Sequence, residues 1–192
     1  ISYLNQTVKL HEKCDLLILY QVPTINQFSS TFENLWKSIQ NRKISTLFIL
    51  GGQSNLSRFN QIQNVMQVSP GQASMNDVYG IIQSNFPIFS VKDEWKNALP
   101  TFPPLQIPFG NFINGPNANV LMYQKIGRVE TKFPLWSIGM MDGKKIGVIA
   151  GEGLWRWKMS ESARTNRTEV FKDIVANTIR YLATREDKRK FK

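Results

Sequence analysis

Short apolar runs alternate with helical stripes along this chain. Residues 15–20 (DLLILY) are almost all apolar, the pattern of a strand covered on both faces. Thr24-x-x-Gln27 then has the form of a capping box, in which the Thr hydroxyl accepts from a first-turn N–H while Gln27 reaches back. Phe28, Phe32, Leu35, Trp36 and Ile39 recur on one helical face, and Asn41-Arg42-Lys43 closes that helix. A second buried strand, residues 45–50 (STLFIL), runs into Gly51-Gly52-Gln53-Ser54-Asn55, and Leu56, Phe59 and Ile62 predict a helix after it.

Residues 61–115 carry no clean period. Pro70, Pro87, Pro100, Pro103, Pro104 and Pro108 oppose a long helix. Phe86, Phe89, Trp95, Phe102, Phe109 and Phe112 lie among them, so the segment reads as a packed excursion over the sheet, with a short helix from Asp93-Glu94 through Trp95. After an Asn114-Gly115-Pro116-Asn117 turn, residues 119–127 read as a strand that pairs with residues 128–132 or with the hairpin that follows. In that hairpin, residues 136–141 and 146–150 flank Asp142-Gly143, a turn signal because a type I′ turn needs φ > 0 at both central residues. The second arm stops at Gly151-Glu152-Gly153, followed at once by Trp155 and Trp157. Residues 160–168 are polar. Val170, Phe171, Ile174, Val175, Thr178, Ile179 and Leu182 then predict a closing helix.

This layout predicts an α/β fold, a flavodoxin-like three-layer sandwich with a mostly parallel sheet, helices on both faces and a late hairpin. Residues 1–184 form one domain and residues 185–192 a basic tail or linker. Composition agrees with a globular chain: 42% of residues are hydrophobic and 20% charged. No apolar run reaches the ~18–20 residues that span a bilayer. One cysteine, Cys14, and one histidine, His11, exclude an internal disulfide and a structural zinc. Cys14 stands at the entry of the first strand and reads as a packed thiol. The net charge of +10 raises nucleic acid as a partner, yet the densest basic run is the mixed-sign tail REDKRKFK, and no binding motif accompanies it.

Polar groups at the C-terminal ends of strands build α/β sites, which makes Gly51, Gly52, Gln53 and Glu152 ligand-binding candidates, with Trp155 beside them. Strand, Gly-rich turn and helix also match a nucleophile elbow. GxSxG and a Walker lysine are missing, so Ser54 reads more readily as a helix N-cap than as a nucleophile.

These elements resemble the class I glutamine amidotransferase-like superfamily. FILGGQS lies where that family has its cysteine elbow, and IGVIAGE lies where it carries His-Pro-Glu. Glu152 matches the glutamate, Ala150 stands in place of the histidine, and Leu50 or Gly51 in place of the cysteine. GEGLWRW and FKDIVANTIRYLATREDKRKF resemble the amidotransferase-like domain of large Bacteroidetes proteins. The resemblance implies a first strand and helix upstream of Ile1. It also implies an extracytoplasmic, periplasmic setting in a membrane-anchored bacterial protein, whose other domains are the partners. Without the thiol and imidazole, glutamine hydrolysis is not expected. The favoured reading is a non-catalytic binding or scaffold module with no cofactor and no metal, taking a small-molecule or protein ligand. The alternative is a hydrolase on a small or carbohydrate substrate, with Glu152 as acid or base in a Trp-lined cleft and Ser54, Asp77 or Tyr123 nearby.

Overall fold

The computed structural model describes residues 10–25 and 29–184. Gln27 and Phe28, half of the capping box and the first stripe residue, lie outside the described residues, as does the basic tail.

The strands are β1 (Leu16–Tyr20), β2 (Ser45–Ile49), β3 (Met66–Ile82), β4 (Leu105–Asn114), β5 (Ala118–Ile126), β6 (Val129–Met141) and β7 (Lys144–Ile149). The helices are α1 (Ser29–Asn41), α2 (Leu56–Ile62), α3 (Asp93–Ala98), α4 (Leu154–Thr165) and α5 (Glu169–Ala183). All seven strands form one sheet in the order β1-β2-β7-β6-β5-β3-β4. This is an α/β fold, but the expected mostly parallel sheet is corrected to a mixed one. Only β1, β2 and β7 run parallel; β7, β6, β5, β3 and β4 are joined antiparallel.

The parallel half has helices on both faces, because the sequence supplies apolar residues at both parities of its strands. On one face Phe48 meets Trp36 of α1 and Phe59 of α2, with ring centroids 5.9 and 5.4 Å apart. On the other, Leu182 of α5 and Leu47 approach the bare Cα of Gly147, where a Cβ would lie 2.9 and 2.8 Å from them. The hairpin is present as read: Asp142 and Gly143 have φ of 52° and 73°, and Met141 pairs Lys144.

The irregular excursion is corrected most. It contains β3 and β4, and β4 pairs with β3 along nearly its whole length. Their prolines sit where strands tolerate them: Pro70 borders the break in the ladder between Pro70 and Met75, and Pro108 is on the edge strand. Asn60 of α2 fixes where β3 begins, donating to Val68 O (2.7 Å) and accepting from Val68 N (2.9 Å). Residues 119–127 and 128–132 pair as expected, and residues 128–132 prove to be the start of the same strand, β6, that forms the hairpin. The polar stretch 160–168 is mostly the second half of helix α4.

The antiparallel half curls back on itself. Gln106 of β4 donates to Glu152 O at 3.0 Å and accepts from Glu152 N at 2.8 Å. The last strand in the order therefore meets the residue just past β7, near the sheet's middle. Five strands close towards a barrel, and Glu152 marks the seam.

Lys144, at the far end of β7, is 3% exposed. Its Nζ lies 4.4 Å from the Trp36 ring centroid and has no hydrogen-bond partner among the described residues. Burial holds the ammonium below its ordinary range, with Asp142 opposing the shift in part. An unpaired buried charge costs more than one cation–π contact returns. Lys144→Met is expected to stabilise the fold by ~1 kcal/mol at neutral pH, read by denaturant unfolding. The sign with pH follows from the lowered pKa. The folded state resists protonation, so the burden is full below the folded pKa and is relieved as pH rises from there towards 10.5. The gap between variant and wild type should narrow over that window; a gap that is absent at pH 7, or that widens with pH, refutes the account.

Candidate functional site

Three parallel strand tips converge at one end of the sheet: Tyr20-Gln21 after β1, Gly51-Gly52 after β2 and Glu152 after β7. Adjacent parallel strands end side by side, so residues far apart in sequence become neighbours. Among the described residues, the Glu152 carboxylate is held by neutral donors only. Tyr20 OH donates to Oε2 at 3.1 Å, Gln21 Nε2 donates to the same oxygen, and Gly52 N–H reaches Oε1 at 3.5 Å. Gln21 also accepts from Gln53 N–H at 2.9 Å, so a single amide links all three tips. Its backbone is left-handed, with φ of 54°, an unfavourable state for a non-glycine residue that places its side chain inward.

Gly51 is required by this packing. A Cβ there would lie 2.6 Å from Glu152 Oε2 and 2.7 Å from the Gln21 amide. Partial burial pushes the Tyr20 phenol above its ordinary value; the Gln21 amide offsets part of that, and the Glu152 carboxylate adds to it. The phenol therefore stays a donor at neutral pH.

Beside these tips lies a groove of about 450 Å³ between the β2–α2 turn and the β3–β4 edge. Its walls include Ile25, Gly52, Asn55, Gln72, Met75 and Phe109, and none of its lining residues is charged. The volume is within the range of small-molecule sites.

The sequence candidates fare unequally. Gly51, Gly52, Gln53 and Glu152 do meet. Ser54 is nearby, but its Oγ accepts from Gly51 N–H at 3.0 Å. It is not the helix cap: Asn55 Oδ1 accepts from Arg58 N–H at 3.0 Å, and Asn55 is the N-cap of α2. Trp155 points to solvent, 63% exposed, whereas Trp157 is 1% exposed and donates to Pro103 O at 2.8 Å. Neither indole is among the residues that line the groove beside Glu152. Asp77 pairs with Gln106 on the strand that bridges to Glu152, two ladder spacings or ~10 Å away. Tyr123 is on β5 with the Lys132 ammonium 5.8 Å from its ring centroid, and no hydrogen bond joins it to Glu152 among the described residues.

Cys14 and His11 are at the opposite end of β1, ~16 Å of strand from the tips. Cys14 Sγ lies 3.5 Å from Leu16 O, and the His11 carbonyl accepts from Arg42 at 2.7 Å. Where the resembled family keeps its thiol and imidazole, Leu50, Gly51 and Ala150 are all buried. Tyr20 and Gln21 were missed in the sequence. The rule that singled out Gly51 and Glu152, a polar residue just past an apolar strand, applies equally to the end of β1.

Among the described residues, no cluster of three or more His, Cys, Asp or Glu could hold a metal ion, and no helix is long and apolar enough to cross a membrane.

No family model and no curated protein matches the sequence. Among solved structures, the chain is similar to the cytoplasmic protein STM3548 from Salmonella typhimurium, with a TM-score of 0.54 and 12% identity over 88% of this chain and 71% of that one. It is also similar to the cytoplasmic protein STM1381 from Salmonella typhimurium LT2, with a TM-score of 0.52 and 13% identity over the same shares. At such identities the likeness is one of fold. The expected extracytoplasmic setting is corrected by these findings, since both proteins are described as cytoplasmic.

Proposed function

We propose that the chain is a non-catalytic binding module of the glutamine amidotransferase-like type, whose ligand sits in the groove beside Glu152. One observation carries this reading. The carboxylate at the strand tips is fastened by Tyr20, Gln21 and Gly52, while among the described residues no thiol or imidazole stands at that end. Amide hydrolysis through a covalent intermediate needs a nucleophile and a base acting as a unit. The amidotransferase-like and flavodoxin-like assignments draw support from the adjacency of β2 and β7, which brings the two motif segments together, with Gly52 N–H 3.5 Å from Glu152 Oε1.

A second reading, a hydrolase on a small or carbohydrate substrate, is favoured by the Tyr20 phenol, a second titratable group 3.1 Å from Glu152. Assays of glutamine and of aryl glycosides on wild type, Glu152→Ala and Tyr20→Phe separate the two. The expected result is no turnover above background in any of them. Turnover in wild type that either variant loses would replace the binding module with the enzyme.

A further inference from the structure

The charge on Glu152 is not matched by any cation of the described chain. Its three hydrogen-bond donors are neutral, and no Lys or Arg nitrogen among the described residues forms an ion pair with it. Arg156 is the nearest candidate in sequence, but its guanidinium folds back over Gly153: a Cβ on Gly153 would lie 2.5 Å from Nη2. In a protein with 24 Lys and Arg against 14 Asp and Glu, a carboxylate left without a cation is unusual. Screening confines the general positive field to about 8–10 Å, and Glu152 Oε1 lies 3.9 Å from where a Cβ on the groove-lining Gly52 would be.

The two carboxylate oxygens are not equally occupied. Oε2 accepts from Tyr20 and Gln21, whereas among the described residues Oε1 has only the Gly52 N–H, at the 3.5 Å limit. A carboxylate has roughly four acceptor positions, which leaves capacity on Oε1. The open side of Gly52 faces the same slot: a Cβ placed there would meet only Met75 Sδ at 3.6 Å and Glu152 Oε1 at 3.9 Å. Past Met75 the walls are apolar or neutral, with Phe109, Ile25 and Gln72 among them. An anionic ligand would face the carboxylate with no counter-charge. A ligand bringing its own cation would complete it.

We propose that the groove takes a ligand bearing a primary ammonium group, seated on the open side of Glu152 Oε1, with an uncharged body lying between Met75 and Phe109. This rests on the reading of the groove as a binding site and specifies its chemistry. The ammonium supplies the missing charge-assisted hydrogen bond, and the apolar body buries against the thioether and the ring.

The test is a two-dimensional amide NMR titration of the full chain with n-butylammonium, the neutral alcohol 1-pentanol, the anion pentanoate, and cellobiose as a neutral polyol. n-Butylammonium is expected to shift the Gly51, Gly52 and Gln53 amides saturably, at least about tenfold more tightly than the other three. Glu152→Gln should erase that preference. Gly52→Val, whose Cβ meets nothing closer than 3.6 Å, should block the slot in a folded protein even if the Glu152→Gln change perturbs the tips. Cellobiose, 1-pentanol or pentanoate binding as tightly at the same amides would sink the ammonium assignment and leave the binding groove standing. No shift at those amides with any probe would sink both.

Discussion

Trp157→Ala is expected to lower stability by about 3–5 kcal/mol, the range for deleting a fully buried aromatic. The indole is 1% exposed. It packs on Phe102 at a centroid distance of 5.4 Å, donates to Pro103 O, and lies 3.7 Å from where a Cβ on Gly80 of β3 would be. One side chain thus joins the helix that leaves the candidate site to the curled half of the sheet. Against a typical total of ~5–15 kcal/mol, such a loss shifts the melting temperature by about 6–20 °C for a domain of this size. Trp157→Phe retains most of the packing and loses the N–H bond, so it should cost about 1–2 kcal/mol. Denaturant midpoints of the two variants check this. An alanine variant within about 1 kcal/mol of wild type would mean that α4 docks by other contacts.

How far the fold was legible depended on whether one period governed a segment. DLLILY, STLFIL and the Asp142-Gly143 hairpin each follow a single rule, and the structure has β1, β2, β6 and β7 there. The stripe through Ile174, Thr178 and Leu182 is α5, as read. In contrast, β3 and β4 hid because Pro70, Gly71, Pro108 and Gly110 fall at the ladder break, splitting the alternation of Met66 and Val68 from that of Val78, and Leu105 and Ile107 from Phe112. Helix α4 hid for another reason. Its fully buried positions are Trp157 and Glu161, spaced i and i+4, and an apolar stripe cannot be seen when a glutamate supplies half of it. The parallel-sheet expectation failed because an antiparallel strand buried on both faces has no polar alternation either: residues 134–139 of β6 are all buried. At the site, Gly51 and Glu152 were legible from their positions after apolar strands. That Gln21 reaches both of them depends on a left-handed backbone at a non-glycine residue, which composition does not reveal.

Glu161→Leu is expected to cost about 2–4 kcal/mol, although it replaces a buried charge by an apolar side chain of similar size. Glu161 is 4% exposed, and its two oxygens accept from Val170 N and Phe171 N, each at 2.9 Å. Those are first-turn donors of α5, which lack an intrahelical partner, and Thr168, the N-cap residue, supplies no side-chain bond. A residue of α4 therefore caps α5, and the helix dipole favours its negative charge there. Leucine would leave two part-buried N–H groups without their acceptor, at up to roughly 1–3 kcal/mol each, partly recovered by apolar burial. Glu161→Gln keeps one acceptor oxygen but turns an NH₂ towards the second donor, so it should fall between wild type and leucine. Amide hydrogen exchange distinguishes a lost cap from a general loosening: protection at Val170 and Phe171 should fall first, ahead of Ile174 and Leu182. A leucine variant that melts with wild type, or that loses protection uniformly along α5, would refute the capping role. Because Leu182 packs the other end of α5 over Gly147 of β7, and Glu152 follows that strand, a weakened cap is expected to be felt at the strand tip. The Glu161→Leu variant should therefore also broaden the Gly52 and Gln53 amide resonances at the far tip of the sheet.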